Sequence, residues 1–197
     1  MELYFRNMPY GRDASQKFDI TCKGGNDVHA IVFIHGGAFF TGKKDQYPLF
    51  LMDYSKNCLF ASIDYRVVKD ENTIHMGNIL SDVNSALKKI QEFSKEKGVN
   101  IKDFILTGHS AGGQIALLYG YKYFQNNEHA NIAACMSLAG PTDFSDDSGW
   151  SSMAMWGENV EERLAFLSYM GTRLTSHPIA LKQHNYTTQL YPHVYMT

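Results

Sequence analysis

The chain has 197 residues, 44% hydrophobic and 19% charged, which is enough apolar material for one substantial core and gives no compositional case for disorder. A formal net charge of −2 removes the electrostatic argument for nucleic acid or an anionic membrane surface as partner. No apolar run reaches the roughly 18 residues of a spanning helix, and the opening MELYFRNMPYGRDASQKFDI has no apolar stretch of the secretory kind. Three cysteines, Cys22, Cys58 and Cys135, show no CxxC pairing. They read as buried free thiols, and the reading that follows is a cytoplasmic protein without membrane segment or metal site.

In chain order, Phe18–Cys22 alternates weakly and predicts an edge strand, followed by the turn-rich Lys23–Asp27. Ala30–Ile34 (AIVFI) is a short β-branched run of the kind buried on both faces of a sheet. Tyr47–Ser55 predicts a short helix, and Cys58–Ile63 the next buried strand. From Asn78, the positions Ile79, Leu80, Val83, Ala86, Leu87, Ile90 and Phe93 form one apolar stripe. They predict a helix to about Lys97, closed by Gly98. Phe104–Thr107 is another buried strand, Gln114–Phe124 an apolar helix and Ile132–Leu138 a further strand. This alternation of strand and helix predicts one α/β domain over 1–197, a mostly parallel sheet between two helical layers. The stretch 142–176 breaks the rhythm. It carries Trp150, Met153, Met155, Trp156, Phe166, Tyr169 and Met170, and reads as a helical, cap-like insertion. Pro178–Lys182 reads as helical, and Pro192–Thr197 as the opening of one more strand.

Two segments carry chemistry. Gly108-His109-Ser110-Ala111-Gly112-Gly113 stands between a buried strand and an apolar helix, the setting required by a G-x-S-x-G nucleophile elbow. There a serine sits on a sharp strand-to-helix turn, and the amide of Ala111 at the helix start faces the place where negative charge appears during acyl transfer. His35-Gly36-Gly37-Ala38-Phe39 directly follows the buried strand AIVFI. A glycine pair at a strand's C-terminal end lets the backbone present its amides to an oxyanion. No phosphate-binding or dinucleotide fingerprint competes, and no cofactor is called for.

In combination these segments resemble the esterase/lipase branch of the α/β-hydrolases that includes the hormone-sensitive-lipase-like and feruloyl-esterase-like (BD-FAE) proteins. The matching segments are Tyr10-Gly11 with Gln16-Lys17-Phe18-Asp19, HGGAF at 35–39, Ser62-Ile63-Asp64-Tyr65-Arg66, Asp82, GHSAGG at 108–113 and Ala139-Gly140-Pro141-Thr142-Asp143. The resemblance implies a serine carboxylic-ester hydrolase with Ser110 as nucleophile and an oxyanion hole of the Gly37, Ala38 and Ala111 amides. It implies a mainly architectural role for Asp64-Tyr65-Arg66, with Arg66 in an ion pair. Small-molecule esters are the implied substrates. The same nucleophile and hole also serve amidases of the formamidase type and peptidases, and the fold could hold ligands without catalysis.

A serine needs a histidine to take its proton and an acid to orient that histidine. In the resembling family the acid follows a strand whose approach reads like Pro192–Thr197, with the histidine further on. The sequence ends at Thr197, so the expectation is a chain lacking the acid, the histidine and the C-terminal strand and helix. Its activity would be weak or nil, and its exposed sheet edge would favour self-association. Asp143 lies where some lipases of this fold carry their acid, or it caps a turn. His129, His177, His184 and His193 each read as surface or capping residues, and His35 and His109 as structural.

Overall fold

The computed structural model describes residues 2–53, 56–69, 74–123, 130–142 and 195–196. The chain divides into two compact units, Met1–Gly140 with His193–Thr197, and Pro141–Pro192. All but two of the described residues belong to the first. The insertion expected at 142–176, the helix at 178–182, Asp143, and His129, His177, His184 and His193 lie outside the described residues, Thr142 apart.

Among the described residues, ten elements follow in chain order: β1 (Leu3–Pro9), β2 (Lys17–Cys22), β3 (Asp27–Ile34), α1 (Phe50–Asp53), β4 (Leu59–Ile63), α2 (Met76–Glu96), β5 (Asn100–His109), α3 (Ala111–Tyr123), β6 (Ile132–Leu138) and β7 (Tyr195–Met196). The strands form one sheet in the order β1-β2-β4-β3-β5-β6-β7. From β4 to β7 every pairing is parallel, while β1–β2 and β2–β4 are antiparallel. The mostly parallel sheet is therefore as expected, and β7 pairs beside β6 where the sequence places the opening of a strand.

Three expectations are corrected. β2 is not the edge: β1 covers it, in a segment whose mixed polar composition (LYFRNMP) carries no strand signal of its own. The helix expected from Tyr47 begins at Phe50, because Pro48 fixes the chain ahead of it, and residues 54–55 lie outside the described residues. The helix after the elbow starts at Ala111 rather than Gln114, since glycines 112 and 113 are tolerated where the turn and the sheet demand them.

Sheet register sorts the side chains into layers. Phe18, Ile63, Ile34 and Gly108 lie level across β2, β4, β3 and β5, and so share one face. That face receives α2, whose Phe93 meets Phe18 edge to face at 6.1 Å, and α3, whose Gly112 abuts Gly108. α2 buries the predicted stripe Ile79, Leu80, Val83, Ala86, Leu87, Ile90 and Phe93. It opens with Asn78 Oδ1 accepting the His75 N–H (2.9 Å) and closes at Gly98, φ +76°. On the opposite face, Leu51 of α1 packs with Ile31, Phe33 and Phe60, and Tyr47 meets Phe60 edge to face at 5.0 Å. Helix, sheet and helix make three layers. In α3, every residue from Ala111 to Gly120 is buried, which explains its lack of a polar side.

Candidate active site

The parallel strands end along one edge of the sheet, and the two loops singled out in the sequence leave it side by side, after β3 and β5. Ser110 takes φ +53°, a left-handed conformation that a non-glycine residue holds only where its surroundings enforce it. Its N–H donates to the Leu138 carbonyl at the end of β6 (2.8 Å), and its own carbonyl accepts from Gln114 N–H (3.2 Å). These bonds pin the turn on both sides and leave Ser110 partly exposed. A Cβ on Gly112 would strike the backbone of Ile34 and His35, so glycine is needed there for α3 to start against β3.

The loop after β3 meets this turn directly. The position of a Cβ on Gly36 lies 3.2 Å from the Ser110 Cβ and 2.7 Å from the His109 carbonyl oxygen. Gly37, Ala38 and Phe39 follow with φ of +106°, +52° and +72°. Such a left-handed run turns successive amides outward from the chain, the geometry of an anion-binding concavity. The Gly37 carbonyl is consumed by Phe40 and Thr41 N–H groups (3.0 and 3.1 Å), whereas the Gly37 and Ala38 N–H groups donate to no acceptor among the described residues. Ala111 stands at the first position of α3, where amides have no intrahelical acceptor.

The support of this loop is a set of residues the sequence groups as architectural. The His35 ring is buried and stacks on Tyr65 (4.3 Å between centroids), and its Nδ1–H donates to the Gly36 carbonyl (2.7 Å). Tyr65 donates its hydroxyl to the His35 carbonyl (3.1 Å). Burial holds His35 below the usual imidazole range, so the ring is neutral and structural. His109 is exposed, and no hydrogen bond joins either ring to Ser110 among the described residues. Arg66 embraces the buried carboxylate of Asp82 through its backbone N–H (3.0 Å), Nε (2.9 Å) and Nη2 (2.5 Å), joined by Gln16 Nε2 (2.8 Å). That is a structural ion pair, as read from the sequence.

Lys44 escaped the sequence reading. It is 7% exposed, with its backbone N–H on Asp64 Oδ1 (2.6 Å) and its ammonium 3.2 Å from Asp19. Its only signal is a lysine pair, Lys43-Lys44, of the kind that is ordinarily solvated.

A strained serine on a strand-to-helix turn, beside a glycine loop at the same ends of the parallel strands, fits an α/β-hydrolase. The BD-FAE family model matches residues 19–195, and the chain belongs to that family. No curated protein sequence matches it. Among solved structures it is similar to esterase B from Lactobacillus rhamnosis in an inhibited form (TM-score 0.70, 17% identity, 93% of this chain and 60% of that one). It is also similar to a bacterial heroin esterase (TM-score 0.61, 18% identity, 86% and 53%) and to a thioesterase-like protein from Silicibacter (TM-score 0.57, 22% identity, 72% and 51%). The chain thus spans about 60% of the length of the esterase B structure.

Proposed function

We propose that the protein is a carboxylic-ester hydrolase of small molecules that works through an acyl–Ser110 intermediate. The observation that supports this reading is the close approach of Gly36 to Ser110, in a loop whose next two amides, of Gly37 and Ala38, donate to no acceptor among the described residues. In the proposed reaction, Ser110 Oγ adds to the ester carbonyl carbon while a histidine accepts its proton. The carbonyl oxygen becomes an oxyanion held by the amides of Gly37, Ala38 and Ala111. Collapse breaks the bond to the alcohol, which leaves with the proton, and water then releases the acid by the same steps. Hydrogen bonds to an oxyanion strengthen as its charge develops, so the amides act on the transition state more than on the ester. The histidine and acid of this scheme are not among the described residues that touch Ser110. Free thiols at Cys22, Cys58 and Cys135 accord with a cytoplasmic setting, and the proposed partners are ester substrates and a second copy of the chain along the sheet edge.

A fluorophosphonate probe tests the acyl–serine step. Covalent labelling of the full chain, mapped to Ser110 and lost in Ser110→Ala, is the expected result. A folded protein that never labels would instead favour a hydrolase fold that binds acyl ligands without turning them over. Hydrolysis of an anilide at a rate exceeding that of the matching ester would move the substrate class to amides.

A further inference from the structure

The loop after β3 is closed on itself. The Gly37 carbonyl accepts both the Phe40 and the Thr41 N–H (3.0 and 3.1 Å). Gly42, at φ +115°, sits where a Cβ would strike the His35 ring and the Gly36 carbonyl oxygen. A trans peptide is planar, so its carbonyl and its N–H point in opposite directions. Drawing the Gly37 carbonyl into the turn therefore aims the Ala38 N–H out of it. The direction of that amide follows the orientation of the whole turn, and the orientation follows from what holds the turn's two ends.

One end is β3, fixed within the sheet, with Gly36 against Ser110. The other is Lys44, two residues past Gly42. Asp64 grips this lysine twice: its Oδ1 accepts the backbone N–H (2.6 Å), and its Oδ2 lies 4.0 Å from the ammonium. The ammonium is 3.2 Å from Asp19 Oδ1. Both carboxylates are themselves held. The Asp64 N–H donates to the Lys17 carbonyl (2.8 Å) and its carbonyl accepts the Tyr10 hydroxyl (2.6 Å). Asp19 accepts from the Asn7 N–H (2.7 Å) and from Arg6 Nε (3.1 Å). Lys44 is 7% exposed, whereas Lys43 beside it is exposed. Taking an ammonium out of water costs much of what its carboxylate partners return, so an apolar side chain could stabilise the fold as well. What the charge adds is a fixed place for the end of the turn, over β2 and the end of β4.

For the acyl–Ser110 reaction proposed above, on which this rests, we propose that Lys44 is the positioning residue of the oxyanion loop. It touches no reacting atom. It holds the turn so that the Gly37 and Ala38 amides point at the oxygen on which charge develops.

Two readouts on the full chain test this. One is the rate at which the fluorophosphonate labels Ser110, because its phosphoryl oxygen draws on the same donors. The other is the position and hydrogen-exchange rate of the Gly37 and Ala38 amides in 1H–15N NMR spectra, read without any reaction. Lys44→Met keeps the stem and removes the charge. It should slow labelling by about tenfold or more and move both amides, with the Ala111 amide and the circular dichroism spectrum as in the parent. Lys44→Arg, which keeps a cation, should recover most of the rate, and Lys43→Met should label as the parent does. Should Lys44→Met not fold, Asp19→Asn replaces it, with the same changes expected. A role in stability alone would lower the urea midpoint and leave both readouts at their parent values, which would overturn the assignment. Equal slowing by Lys43→Met, or Lys44→Arg no faster than Lys44→Met, would overturn it too. A parent that never labels removes the acyl–serine reading instead; the two amides then decide alone, and unmoved amides refute a positioning role for Lys44.

Discussion

At the scale of single residues, the proposed nucleophile is where local preference and the proposed function conflict. Ser110 holds φ +53° although an L side chain there costs on the order of 1 kcal/mol, and the two backbone bonds from Leu138 and Gln114 keep it there. Glycine would adopt the same φ without penalty, so Ser110→Gly should leave the fold unchanged or stabilise it by up to about 1 kcal/mol while removing all labelling by the probe. A midpoint in urea that falls by the equivalent of 1 kcal/mol or more would contradict the strain. Ala38 and Phe39 share the left-handed region, yet the sequence HGGAF advertises it only at the glycines. The Val68 N–H bonds the Phe39 carbonyl (2.8 Å) and so ties this part of the loop to the segment after β4.

At the scale of elements, α2 does more than cover the sheet. Its Asp82, 1% exposed, is the point at which the segment before β2, the segment after β4 and the helix are tied together, through Gln16 and Arg66. Asp82→Ala would leave the guanidinium and the Gln16 amide facing one another without an acceptor. A loss of about 3–5 kcal/mol is expected, with Asp82→Asn falling between that variant and the parent because one acceptor survives. Denaturant unfolding reads this directly, and a cost under about 1 kcal/mol for Asp82→Ala would show that the pair is dispensable. The helix stripe was legible from spacing alone, whereas the partners of Asp82 were not: they lie 16 and 66 positions away in the sequence.

At the scale of the whole molecule, the buried neutral His35 couples stability to pH. Its folded-state pKa lies below the ordinary value of 6.5, so the unfolded chain takes up a proton that the folded chain refuses. The contribution is complete above about pH 6.5 and is lost progressively as the pH falls below it. Thermal melts of the parent should therefore decline between pH 7 and pH 5 more steeply than those of His35→Phe, which keeps a ring on Tyr65 and has no proton to gain. Parallel profiles for the two proteins would remove His35 from the account. No helix among the described residues is long and apolar enough to cross a membrane, in keeping with the absence of a long apolar run.

The sequence by itself determined the buried strands β3, β4, β5 and β6, the stripe of α2 and both motif loops, because those signals are local: β-branched runs, a helical period, and glycines at a strand's end. Only the tertiary structure decided that β1 takes the sheet edge, that Lys44 is buried between Asp19 and Asp64, and that Gly36 lies against Ser110 from more than seventy positions away. Each of those outcomes is a pairing between distant segments. A chain's local composition sets what a segment can become, but which segment it meets depends on the order in which parallel strands are laid side by side.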